Sequence, residues 1–440
     1  MTDASGAQTG GGRASLRDRL AALLASDIGR AGGLAAAMIA TNVVALGSTV
    51  VFARLLDDYG SLAALISYYL ILTVVGQALQ VATARDAVLG ELGEGPALAA
   101  TLRAWTRSLL LLTVAVAVVS ALLRAPIAGL VGVDQEWAAA IGLPAGVLWL
   151  LLSLLRGGLQ GTGDYRAVGI SLVGEQTVRL LLGAALAAAG LGVTGAYLGT
   201  PLSLIAMAVY CGVELRRVTG GSAAVVGEAI PARRLRDHVA GDATPIAGLV
   251  VVALLQNVDI IAGKHRFSTD VASSYGATAV AAKVLVWVAM GAGFYLVPET
   301  SRRHADGEDT RRVLVNAIGI VLACSVPVLA IFALGGRQLL QAAFGADRLL
   351  AVDALLPLGV AFTLLALTYL AIQYLLALRR TAFLLPLGAI ALAEPVLLLT
   401  AAPGTPDGFA AVVLAVQAVA AVVALGLAFA GRPPRAARRR

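Results

Sequence analysis

The sequence predicts an all-α integral membrane protein of twelve transmembrane helices, arranged as two six-helix lobes related by a parallel pseudo-two-fold repeat. Three observations carry that prediction. Of 440 residues, 59% are hydrophobic and only 13% charged, far from the balance of a water-soluble domain. The apolar residues fall into twelve runs of spanning length. A Tyr-Gly motif recurs half a chain apart.

Hydrocarbon offers no partner for a backbone N–H or C=O, so a spanning segment closes its own hydrogen bonds as a helix of about 20 apolar residues. Runs near 34–54, 61–83, 107–124, 137–158, 167–189 and 191–213 make the first six spans. Runs near 243–263, 275–298, 312–334, 351–377, 381–401 and 408–430 make the second six. These runs are apolar all round, whereas a membrane barrel needs polar residues at alternate positions. The organisation expected is a polar, basic segment over 1–33, an N-lobe over 34–215, a cytoplasmic linker over 216–242, a C-lobe over 243–430 and a basic tail over 431–440.

Orientation follows from Lys and Arg, which concentrate on the cytoplasmic side of a membrane protein. With the N-terminus inside, 25 of the 33 basic residues fall in cytoplasmic segments and 6 outside, leaving Arg179 and Lys283 within spans. Both termini are therefore expected in the cytoplasm and the chain in the inner (cytoplasmic) membrane. The pI near 9.7 suits an anionic leaflet and calls for no nucleic acid. No signal peptide is expected, and Cys211 and Cys324 lie in apolar spans where they read as small hydrophobes, not as a disulfide.

The repeat is seen around the second span of each half. Tyr59-Gly60 opens a helix ending near Arg85, and Tyr275-Gly276 opens one ending near Arg302, with offsets of 216 and 217 residues. An even number of spans per half makes such a repeat parallel.

A charge at the bilayer centre costs about 2.5–3.5 kcal/mol on insertion scales, so ionisable residues in spans face protein or water. Glu175 and Arg179 stand at i and i+4 in GEQTVRLLLG, either as a self-neutralising pair or with Arg179 turned to a cavity to bind anionic oxygens. Lys283 lies about two turns into the eighth span, within reach of snorkelling to the outer interface. Asp259 is expected to join Lys264, His265 and Arg266 at a charged outer mouth. Glu394-Pro395 sits mid-span, where the proline kinks the helix and Glu394 either couples an ion or pairs with a base. Gln77, Gln80, Gln256, Asn257 and Gln373 glue helices or line a polar path.

There is no phosphate-binding loop of the Walker type, no HExxH and no CxxC, so neither ATP hydrolysis nor a metal or other cofactor is expected.

The segment DIIAGKHRFSTDVASSYGATAVAAKVLVWVAMGAGFYLVPETSRR, together with LLRGGLQGTGDYRAVGISLVGEQTVRLLLG, resembles the polysaccharide-transporter, O-antigen flippase-like branch of the multidrug/oligosaccharidyl-lipid/polysaccharide (MOP) exporter superfamily. That resemblance implies a non-enzymatic, monomeric transporter that flips a lipid-pyrophosphate-linked glycan by alternating access, its lipid tail remaining in the membrane. It implies that Arg179 and Lys283 meet the head group in one central cavity, with Arg85 and Arg156 at the cytoplasmic entrance. Twelve spans depart from the lipid II flippase subgroup. The first span lacks the acid that drug/cation antiporters of the superfamily use there. Drug/cation antiport nevertheless remains an alternative, one expected to show an acidic cavity. A membrane-embedded glycan polymerase or glycosyltransferase is a third, and it would call for a long external loop that is absent.

Overall fold

The computed structural model describes residues 27–220 and 243–430. The basic N-terminal segment up to residue 26, most of the linker and the basic tail expected from sequence lie outside the described residues. What is described is helical, without a strand. The first half comprises α1 (Asp27–Leu55), α2 (Tyr59–Val88), α3 (Pro96–Leu122), a short α4 (Arg124–Val131), α5 (Glu136–Gly161), α6 (Tyr165–Leu186) and α7 (Gly192–Val218). The second comprises α8 (Ala243–Arg266), α9 (Thr269–Ala305), α10 (Arg311–Phe344), α11 (Leu355–Ala377), α12 (Leu384–Thr400) and α13 (Pro406–Ala430).

Leaving α4 aside, the twelve long helices coincide with the twelve apolar runs, and the chain is a multi-pass membrane protein. Two of the divisions are subtle. Tyr165–Val218 is one continuous apolar stretch, parted into α6 and α7 only by a π-helical turn, where Gly190 takes φ 97°. That conformation is strained for any residue with a side chain. The helix α12 has 17 residues, slightly short for a span.

The halves repeat each other in their packing. In the first, α2 packs on α5, α1 on α6, α3 on α5, α5 on α7 and α6 on α7. In the second, α9 packs on α11, α8 on α12, α10 on α11, α11 on α13 and α12 on α13. Each pair in one list has its counterpart in the other. Six crossings return the chain to the side from which it started, so α8 runs in the direction of α1 and the repeat needs no inversion. The helices α5 and α11 are the most buried of their halves and form their centres.

The halves meet along α2, which packs on both α8 and α9. Here the two Tyr-Gly motifs face each other. The Gly60 N–H donates to Ser273 Oγ at 2.9 Å, and a Cβ on Gly60 would stand 2.9 Å from the backbone nitrogen of Ser273. A Cβ on Gly276 would stand 3.0 Å from Ala63 Cβ. At Gly60 a side chain would meet the backbone of Ala272 and Ser273, whereas at Gly276 it would crowd the Ala63 side chain. Tyr59 and Tyr275 themselves are buried, at 2% and 1% exposure.

Several polar links cross between the halves at this same end of the bundle, where α1 passes into α2 and α8 into α9. Lys264 Nζ donates to Asp58 Oδ1 at 2.9 Å. Burial alone would push the Asp58 carboxyl up, but the bonds from Lys264 and Ser61 outweigh it and hold the group below its ordinary value. The stability that the Asp58 carboxylate contributes is therefore present above the ordinary carboxylate value and is lost as pH falls through that lowered value.

Gly60→Ala is expected to destabilise the detergent-solubilised protein by about 1–3 kcal/mol, the cost of overpacking. Gly47→Ala, where a Cβ meets nothing within 4 Å, should leave stability unchanged or slightly raised. Thermal unfolding followed by size-exclusion chromatography separates the two.

Candidate functional site

Among the described residues each half holds a buried cluster of ionisable side chains, and the two differ in composition. In the first half, Glu175 on α6 receives two arginines. Arg156 of α5 is 0% exposed. Its guanidinium donates from Nη2 to Glu175 Oε2 at 3.0 Å and to the Ser171 carbonyl at 2.8 Å, and from Nε to Ser171 Oγ at 2.8 Å. Arg179, one turn after Glu175, donates to its other carboxylate oxygen. The planes of both guanidinium groups are backed by rings: Trp149 lies 5.5 Å from Arg156 and Tyr69 5.6 Å from Arg179. Trp149 is itself fixed by donating Nε1–H to the Thr73 carbonyl at 2.8 Å. The cluster thus ties α2, α5 and α6 together and carries two cations to one anion. Arg156 Nη1 and Arg179 Nε are buried without an acceptor.

In the second half the acids predominate. Lys283 of α9 donates to Asp259 Oδ1 of α8 at 3.2 Å, and its ammonium stands 5.3 Å from the centre of the Phe362 ring. Tyr275 donates its hydroxyl to Asp259 Oδ2 at 3.4 Å. Glu394 of α12 lies within electrostatic reach of both Asp259 and Lys283. Its Oε1 accepts from Gln417 Nε2 at 3.3 Å, and the same amide donates to the Leu255 carbonyl at 2.8 Å. Glu394 is 0% exposed. Its Oε2, the Gln417 Oε1 and the Asn257 Oδ1 are buried without a donor. The arginine cluster of the first half thus leaves guanidinium nitrogens without acceptors, and the Glu394–Gln417 contact of the second leaves oxygens without donors.

Glu175 and Glu394 are counterparts. Each stands ten residues after the first residue of its helix, Tyr165 or Leu384, and those helices correspond in the repeat. One carboxylate is held by two arginines and the other by a single amide.

These positions revise several expectations. Arg156 is not at a cytoplasmic entrance: α5 continues to Gly161, leaving Arg156 fully enclosed as the second ligand of Glu175. Asp259 is not at the outer mouth: α8 runs on to Arg266, so Asp259 is buried and bonded to Lys283, while Lys264 pairs with Asp58. Lys283 does not snorkel, since Asp259 meets it inside the half. Arg179 and Lys283 belong to separate clusters, one in each half. Arg85 is exposed at the far end of α2 and pairs with Asp86 at 2.9 Å. Trp149, Ser171 and Gln417 escaped the sequence reading. The signal for Arg156 was present in LLSLLRGGLQG, where apolar and small residues continue on both sides of the arginine. Among the described residues, no group of three or more His, Cys, Asp or Glu could hold a metal ion.

No protein-family model matches the chain, and no curated protein matches it. Solved structures do. An inward-facing multidrug-resistance MATE family transporter of the MOP superfamily is similar with a TM-score of 0.67 and 15% identity, over 88% of this chain and 93% of that one. An outward-facing structure of such a transporter gives 0.58 and 14%, over 89% and 92%. A MOP superfamily transporter from Pyrococcus furiosus, described as having a binding pocket of reversed polarity that suggests a different function, gives 0.55 and 14%, over 90% and 93%. The chain has the fold of MOP superfamily transporters.

A buried ion pair that loses one member leaves an uncompensated charge, at a cost of about 3–5 kcal/mol. Glu175→Gln, which leaves two arginines facing a neutral amide, is expected to lower stability by an amount of that order. Arg124→Gln, at the exposed pair with Glu136, should cost no more than about 1 kcal/mol. Thermal unfolding of the two variants side by side checks the contrast.

Proposed function

We propose that this protein is an alternating-access transporter of the MOP superfamily that exchanges a small organic solute for a cation across the cytoplasmic membrane. The fold supports transport in preference to enzymatic chemistry. The observation that carries the exchange is the acid excess in the second half. There two carboxylates, Asp259 and Glu394, face one ammonium, Lys283, and one oxygen of Glu394 has no donor. A buried carboxyl of this kind is suited to taking up and giving back a proton or a small cation, because either one relieves an uncompensated group in hydrocarbon. This is the drug/cation antiport reading, with Glu394 as the coupling residue and Asp259 and Lys283 setting the field around it.

A second reading rests on the first half. Arg156 and Arg179 outnumber Glu175, and a guanidinium fork is suited to phosphate or carboxylate oxygens. Flipping of a lipid-pyrophosphate-linked glycan would use that surplus, with Glu175 as the internal counter-ion that the substrate displaces from Arg179. The fold is shared by both readings, so charge alone separates them. In either one the chain acts as a monomer with both termini in the cytoplasm.

Everted membrane vesicles distinguish the two. On the exchange reading, an imposed proton or sodium gradient drives accumulation of a dye such as ethidium, and Glu394→Gln abolishes it at unchanged protein level. If the gradient moves no dye while proteoliposomes carry a fluorescent lipid-pyrophosphate-linked glycan between leaflets, the flippase reading replaces it.

A further inference from the structure

The end of the bundle where α1 meets α2 holds an exchange of arginines that neither charge cluster uses. Helix C-termini leave four carbonyls without intrahelical donors and carry partial negative charge. Arg54, in the last turn of α1, reaches across to the last turn of α10, donating from Nε to the Ala343 carbonyl at 2.9 Å and from Nη2 to the Ala342 carbonyl. Arg348, just beyond α10, reaches back to the end of α1. It donates from Nε to the Ala53 carbonyl at 3.1 Å, and from Nη2 to the Leu56 carbonyl at 2.6 Å and the Asp57 carbonyl at 3.1 Å. Each half therefore completes the helix end of the other with its own arginine. Arg348 is 8% exposed, so water cannot replace these acceptors while the halves stay together.

The surrounding contacts follow the same pattern. Lys264 of α8 bonds Asp58, which also caps α2 by accepting from the Ser61 N–H at 3.1 Å. His265 Nε2 stands 3.0 Å from the Leu130 carbonyl, at the end of α4. The Lys264–Asp58 and His265–Leu130 links each join the first half to the second.

We propose that Arg54 and Arg348 form a reciprocal clasp that holds this end of the transporter shut, with Arg348 as the main gating residue. The halves cannot part here without stripping Arg348 of three carbonyls, and each loss exposes a helix end. By the distribution of basic residues this is the outer end, so the clasp favours the inward-open state. Solute exchange must then include a step that offsets its rupture. The inference rests on the alternating-access reading, but its test needs no solute.

The test uses nitroxide labels in a Cys324→Ser background, because Cys324 is the exposed native thiol. One pair, Asp134→Cys with Thr405→Cys, spans the clasped end. A second pair, Leu89→Cys with Glu308→Cys, spans the opposite end. In electron–electron distance measurements, Arg348→Ala is expected to lengthen the first distance and shorten the second, shifting the open-to-closed ratio by at least about tenfold, the low end for losing a hydrogen bond to a charged group. Arg348→Lys should give a smaller shift in the same direction. Should Arg348→Ala fail to fold, Lys264→Ala tests the same end through a side-chain pair. Unchanged distances in these variants would overturn the proposal, as would lengthening of the first pair alone, which marks local fraying without rocking. Failure of the solute reading would appear as absent dye flux and would leave these distances unaffected.

Discussion

A charged side chain inside hydrocarbon must find its partner within protein, and the whole arrangement follows from how this chain meets that requirement. The first half answers with two arginines sharing Glu175, and the second with Lys283 bonded to Asp259. Because the partners come from different helices, the charges bind the helices of each half together: α5 to α6 in one, α8 to α9 in the other. On the proposed transport function, each half can therefore move as a unit without breaking its internal polar contacts. The seam between the halves is the packing of α2 on α8 and α9, with close glycine contacts and polar links clustered at one end.

The repeat gives this division its physical logic. Two copies of a six-helix unit place a glutamate at the same position of α6 and α12. In one copy arginines satisfy it fully; in the other an amide satisfies half of it. A saturated carboxylate is a fixed structural charge. A half-satisfied one retains capacity for a proton or cation, and the proposed exchange function rests on that difference between the two copies.

Much of the fold was legible because hydropathy and spanning length are local properties. The twelve runs matched twelve helices, whereas Tyr59-Gly60 and Tyr275-Gly276 were read only as marks of the repeat, and that they meet at the seam depends on helix packing that the sequence does not show. The charge partners were only partly legible. Glu175 and Arg179 are one turn apart and could be paired by spacing, whereas Arg156 to Glu175, Asp259 to Lys283 and Gln417 to Glu394 join different helices, so spacing gives no guide. Arg54 and Arg348 were counted simply as outer basic residues, because an arginine that caps a helix 288 or more residues away looks in sequence like any loop charge. Asp259 and Arg156 were placed too near the membrane surface because α8 and α5 extend beyond the apolar runs that defined their spans.

The central claim is that two internally bonded halves move against each other with their charge clusters intact. An electron cryo-microscopy structure of the protein trapped facing the opposite way tests it most directly. The account predicts that Arg156, Glu175 and Arg179 remain bonded in one half and Asp259 and Lys283 in the other, while the bonds of Arg54, Lys264 and Arg348 across the seam are gone. Clusters that exchange partners between the halves, or a seam still closed by those bonds while the opposite end has opened and shut, would contradict it.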